Sequence, residues 1–183
     1  MREDVFSLAE HGTGLGLRMV MATNGLLLTH TIIDKMKSSG IKRVSISLDA
    51  PDAKSHDEFR KVKGAFDGSL AGIDLLKKSG LEVQINTTIT KYNAGKIEEI
   101  LEMVLRLGAA AHHIFLLVPT GRAKDMIEQE IDAKEYEKLL HWFYHMRQKV
   151  PLHLKATCAP HYYRILRQEA HKEGERVNFK TFG

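Results

Sequence analysis

Residues Ile32–Gly40 read IIDKMKSSG, and residues Ile41–Asp49 read IKRVSISLD. The first stretch has the apolar and basic spacing of a helix that stops at a glycine. The second alternates apolar and polar side chains, as a strand does. Val44, Ile46 and Leu48 fall on one side of that strand, and Ser45, Ser47 and Asp49 on the other. The same pairing recurs along the chain. LAEHGTGLG precedes LRMVMATNG from Leu8 to Gly25, IDLLKKSG precedes LEVQINTTIT from Ile73 to Thr90, and ILEMVLRLG precedes AAAHHIFLLVPTG from Ile100 to Gly121. Gly16, Gly40, Gly80 and Gly108 sit where a helix would stop, because glycine accepts a left-handed terminal conformation cheaply. Lys and Arg near these stops suit the negative end of the helix dipole. The strands recur about every 25 to 40 residues, the spacing of βαβ units around a parallel sheet.

The third strand alternates like the second, with Val83, Ile85 and Ile89 opposite Gln84, Asn86 and Thr88. An ordinary parallel sheet buries both faces. Neighbouring strands with one polar face each predict a curved sheet around a wet, ligand-holding lumen. The carboxyl ends of the strands are polar too, at Thr23, Asn24, Asp49, Thr88, Thr90, Thr120 and Arg122. Ligands of α/β barrels and open sheets gather at that rim, although such residues also start loops and cap helices. Beyond the repeats, Ala133–Val150 reads as an amphipathic helix with Tyr136, Leu139, Leu140, Phe143 and Met146 on one stripe, ended by Pro151. LHLKAT reads as a further strand, HYYRILRQEAHKE as a last helix, and Asn178–Gly183 as a frayed tail.

Composition bounds the rest. The 183 residues are 43% hydrophobic and 27% charged, which suits a domain with a real core. No apolar run approaches the roughly 20 residues of a membrane span, and MREDVFSLAE lacks the apolar segment of a secretory signal. One cysteine, Cys158, excludes an internal disulfide and any all-cysteine metal site within the chain. A cytoplasmic location is expected, without membrane partners. The basic excess, 27 against 23, is scattered; it suits an anionic ligand and argues against a nucleic-acid surface.

MATNG, SISLDAPDAKSHDEFRKVKGAF, QINTTIT and LVPTGR together resemble the second half of a radical SAM domain. HHIFLLVPTGRAKD and KATCAPHYYRILRQ bring the resemblance closest to the radical SAM decarboxylases of alternative haem biosynthesis and their sirohaem-pathway relatives. The resemblance implies an α/β fold. About four parallel strands with outer helices would form part of a (β/α)6 barrel over residues 1–130, and residues 131–183 would begin a C-terminal α+β extension leading to an auxiliary cluster. It implies S-adenosylmethionine and a 4Fe-4S cluster as cofactors, an electron donor, and oxidative decarboxylation of a tetrapyrrole such as iron-coproporphyrin III. The family's Cys-x3-Cys-x2-Cys and Gly-Gly-Glu-Pro motifs are not in the sequence. The chain is therefore expected to be an internal piece of an enzyme, inactive by itself.

The resemblance also implies roles. Thr23 and Asn24 would border the methionine end of the cofactor, Ser47 and Asp49 its ribose or carboxylate, and Arg60 its carboxylate, which a guanidinium fork suits. Asn86 and Thr88 would bond ribose oxygens, and Leu117 to Pro119 would flank the adenine, Leu117 being equally a core residue. Arg122, Lys155, Arg164 and Arg167 would meet substrate carboxylates, with Tyr162 and Tyr163 against the macrocycle or, with Ile165 and Leu166, in the core. Cys158 would be an auxiliary cluster ligand; it could also open a zinc site with His161 and His153, or be a buried free thiol. His112 and His113 read as strand-entry residues, with contact to iron as a second role. No residue is assigned to bond breaking. The alternatives are a peptide-modifying radical SAM maturase, a truncated non-catalytic binder, and a metal-free barrel lyase or isomerase using Asp49 as its base.

Overall fold

The computed structural model describes residues 2–175, except the side chain of Arg122; Asn178–Gly183 lies outside the described residues. Helix α1 (Val5–Gly14) leads to strand β1 (Val20–Thr23), then α2 (His30–Ser38), β2 (Arg43–Ser47), α3 (Ala53–Arg60), α4 (Ala65–Lys78) and β3 (Glu82–Ile89). There follow α5 (Ile97–Leu107), β4 (Ala111–Leu116), a 3-10 stretch (Gly121–Gln129), α6 (Ala133–Lys149), β5 (His153–Thr157) and α7 (Tyr162–Lys172). The strands form one parallel sheet in chain order, β1-β2-β3-β4-β5. Crossovers of common hand in chain order lay the connecting helices, α2 to α6, on one face, the winding of an opened barrel. LHLKAT, read as a further strand beyond the four of the barrel portion, pairs alongside β4 as the fifth strand of the same sheet.

Burial follows the alternation in the sequence. Val44, Ile46, Leu48, Ile85, Ile89 and Ile114 are fully buried with Ile73, Leu76, Ile100, Val104 and Leu140, residues of the helices. Each such side chain contributes about 1.5–3 kcal/mol on leaving water. The helices begin on side-chain caps: Thr29 accepts from the Ile32 N–H, Asp52 from Ser55, and Asp132 from Lys134 and Glu135. The expected helix-stop glycines, Gly16, Gly40, Gly80 and Gly108, all have positive φ. Among the described residues no helix is long and apolar enough to cross a membrane.

Candidate functional site

The face of the sheet away from the helices carries the polar half of each strand. Register aligns Ser47, Asn86, His113 and Lys155 in one row. Toward the carboxyl ends of the strands, the next row is Thr88, Phe115 and Thr157. All seven side chains are half-buried. The Gln84 amide donates to Asn86 Oδ1 at 2.7 Å and lies 3.0 Å from His113 Nδ1. The hydroxyls of Ser47 and Thr88 have no side-chain partner among the described residues, and so can bond a guest at no cost to the fold.

At the rim, Asp49 closes a network. Its carboxylate is fully buried; Oδ2 accepts from Arg60 Nε at 2.6 Å and Nη2 at 2.5 Å, and Oδ1 from the Thr88 N–H at 2.9 Å. Burial pushes this carboxyl above its ordinary pKa, while Arg60, the Thr88 amide and His56 pull it back. The Asp49 N–H donates to His56 Nδ1 at 3.1 Å, which places the His56 proton on Nε2. Burial keeps that ring neutral by lowering its pKa, so the 4.0 Å approach of its Nδ1 to the Asp49 carboxylate is not an ion pair. Asn93, fully buried, donates to the carbonyls of Asp49 and Thr88, both at 2.8 Å, and accepts from the Thr90 N–H. Asp49 is thus consumed by structure, which argues against a rim base. Arg60 uses one edge of its guanidinium on a single oxygen and is 36% exposed. The remaining N–H donors of its fork are available to a second carboxylate.

The MATNG segment supplies the next corner. Thr23 shares register with Ile46 on the helix side, and its hydroxyl accepts from the Gly25 N–H at 3.3 Å. Thr23 therefore shapes the turn, contrary to the expectation that it borders the guest. Asn24 is exposed at the rim, with Oδ1 accepting from the Leu26 N–H and its carbonyl from Ser69 Oγ. Gly25, at φ +83, rests on α4 at Gly72, where an added Cβ would lie 2.6 Å from the Gly25 carbonyl oxygen.

Beyond β4 and β5 a cleft of about 500 Å³ is lined by Leu117, Val118, Tyr136, Cys158, His161 and Arg164, among others. Pro119 is half-buried just beyond Val118. Arg164 forms a two-point ion pair with Glu137 of α6, so binding a substrate there would divide its charge. Lys155 lies one strand over from His113, on the open face.

Several expectations fail here. Cys158 is exposed, which removes the buried-thiol reading. His153 begins β5 and Cys158 follows its end, about 16 Å along an extended strand. A zinc site shared by the two is excluded, and no trio of metal-ligating side chains forms among the described residues. His112 is buried on the helix side: Thr87 Oγ1 donates to the Leu48 carbonyl at 2.6 Å and lies 2.9 Å from His112 Nε2, which must then donate. Burial lowers its pKa to about 3, and contact with iron is ruled out by position. Tyr162 packs edge-on against Phe143 at 5.5 Å in the core, whereas Tyr163 is exposed. Sequence reasoning missed His56 and Asn93; both look like ordinary helix and turn residues, and only the fold brings them to Asp49.

The arrangement offers spare guanidinium donors at the rim, free hydroxyls below it, and a polar floor, which suits a guest with a carboxylate and a hydroxylated ring. Solved structures share the frame: Streptococcus suis SuiB bound to precursor peptide SuiA aligns with TM-score 0.71 at 18% identity, over 91% of this chain and 38% of that one. An AdoMet-dependent heme synthase of Nitratidesulfovibrio vulgaris is 53% identical over 183 residues, all of this chain and 50% of the relative. One of Methanosarcina barkeri is 49% identical over 182 residues, covering 52% of the relative. The chain thus spans about half the length of the curated relatives it matches. The Radical SAM superfamily model matches residues 1–145, the stretch that holds Ser47, Asn86, Thr88, His113 and Phe115 of the polar rows, the Asp49 network and the Asn24 corner, and the chain belongs to that superfamily.

Proposed function

We propose that this chain forms the guest-facing portion of a radical SAM enzyme of haem synthesis, binding S-adenosylmethionine against its open face and a tetrapyrrole, iron-coproporphyrin III, beside it for oxidative decarboxylation. The observation that carries the reading is the 49–53% identity to AdoMet-dependent heme synthases along the whole chain. In this reading residues 1–130 supply the barrel portion, and residues 131–183 lead toward an auxiliary-cluster region in which exposed Cys158 is one ligand.

The residues fit S-adenosylmethionine. The spare edge of Arg60 takes its carboxylate, with Asn24 near the methionine end. Ser47, Asn86 and Thr88 bond the ribose, and Pro119 flanks the adenine. Asp49 holds Arg60 in place. Lys155, Arg164 and Arg122 bind substrate carboxylates. When bound, S-adenosylmethionine would supply one-electron, hydrogen-abstracting chemistry, which these residues would orient and shield from water. The residues of this chain do not fit the cluster that reduces it, since one cysteine cannot supply several thiolates. Cluster ligands and an electron donor must come from elsewhere.

The test uses hydroxyls that the fold does not need. Ser47→Ala and Thr88→Val should leave stability within about 0.5 kcal/mol. Together they should weaken S-adenosylmethionine at least about fivefold in calorimetric titration. Unchanged affinity in the folded double variant would refute the assignment. A Soret shift of iron-coproporphyrin III on adding the chain is expected, and none is expected for a peptide maturase.

A further inference from the structure

We infer that His113, His153 and Lys155 form a carboxylate pocket toward the amino-terminal ends of β4 and β5, which anchors an acidic side chain of the substrate. The inference rests on the tetrapyrrole reading above for the identity of the substrate, though not for the existence of the pocket.

Charge is the first observation. Lys155 is half-buried and has no acidic partner among the described residues. The His113 and His153 rings lie 5.8 Å apart. Arg43 and Lys155 act on both rings, and Arg147 acts on His153. Glu82, the acid that pairs with Arg43, is already shared by Arg18 and Arg43, each at 2.8 Å. Positive charge gathered on one acid favours an anion. A cavity of about 240 Å³ adjoins this cluster, lined by His153, Lys155 and Arg147 but not by His113.

Hydrogen bonding is the second. The Gln84 amide nitrogen gives one proton to Asn86 Oδ1 and faces His113 Nδ1 with the other. The His113 proton is then on Nε2, and that atom is buried without an acceptor. A buried donor without a partner is costly, and a carboxylate oxygen satisfies it. Burial and the neighbouring cations hold His113 near pKa 4, so the ring is a neutral donor at neutral pH.

Position is the third. His113 and Lys155 lie one row below Thr88, about 7 Å along the strands, and β4 is two strands, about 10 Å, from β2. A planar substrate edged with carboxylates can reach this pocket while its reacting edge stays near Ser47 and Thr88. Half-buried Phe115 offers it an apolar ring on the way.

The experiment has two arms on the full chain. In the first, side-chain resonances of His113 and Lys155 are followed by NMR as sodium propionate, sodium phosphate or sodium chloride is added at matched ionic strength. Saturable shifts with propionate are expected, retained in Lys155→Arg and lost in Lys155→Met. Absence of shifts, or shifts with phosphate alone, overturns the pocket. In the second, iron-coproporphyrin III is compared with its tetramethyl ester by Soret titration. Lys155→Met should weaken the free acid about tenfold and leave the ester unaffected. Equal binding of the free acid by both proteins overturns the anchor while sparing the tetrapyrrole reading. No Soret change with either porphyrin refutes that reading, and the propionate arm then decides the pocket by itself.

Discussion

Arg60 and Asp49 show how one pair can serve both fold and site. Removing the guanidinium strands a buried carboxylate, so Arg60→Gln should cost about 2–3 kcal/mol. The sign with pH follows from the direction of the shift. Burial already raises the Asp49 carboxyl, and without Arg60 it rises further above its unfolded value. The folded state then holds a proton that the unfolded state has lost, and stability falls as pH rises. Urea unfolding should show Arg60→Gln more destabilised, relative to the parent chain, at pH 7.5 than at pH 5. His112 works in the opposite direction. Its folded pKa, about 3, lies below the ordinary value near 6.5, so its contribution is complete above pH 6.5 and is lost as pH falls toward 3. The limiting slope is about 1.4 kcal/mol per pH unit. His112→Leu should flatten the acid limb of stability between pH 6 and 4, leaving the shares of His56, His113 and His153. An unchanged limb would contradict a neutral buried ring.

At the scale of elements, α4 carries a contrast between two glycines on one helix. An added Cβ at Gly72 would meet the backbone oxygen of Gly25 at 2.6 Å, but at Gly68 its closest neighbour would be the Leu26 side chain, at 3.2 Å. Gly72→Ala should therefore cost about 1–3 kcal/mol and speed amide exchange across Asn24–Leu28. Gly68→Ala should be near neutral, with helix propensity offsetting the contact. Equal costs would mean that the turn does not rest on α4. Elements of this kind were legible in the sequence wherever periodicity carries them: the alternation in β2 and β3, the helix stops and the stripe of α6 all appear where the pattern puts them. Thr23 misled because the strand turns at Gly25, and a rim position does not fix which side a residue faces. The Asp49–His56–Asn93 network was illegible, since its partners lie 7 and 44 positions away with no period linking them.

At the scale of the molecule, the sheet of the described residues has its outer strands at β1 and β5. Val20 on β1 is 59% exposed, and Leu15, Leu17 and Leu27, which flank that strand in sequence, are exposed too. An apolar edge strand invites pairing. The isolated chain should self-associate as its concentration rises, and Val20→Lys should reduce this in light scattering. An equally monomeric parent and variant would show that the edge is harmless. The opened sheet also explains why the polar rows matter: its helix-free face is where serine, asparagine and threonine side chains meet whatever the chain binds.

The most direct measurement is backbone amide NMR of the chain as S-adenosylmethionine is added. Shifts should concentrate at Ser47, Arg60, Asn86 and Thr88, and the helix-side partners Val44, Ile85 and Ile114 should stay still. Shifts confined to the helical layer, or none at millimolar cofactor, would contradict the open face as the binding surface.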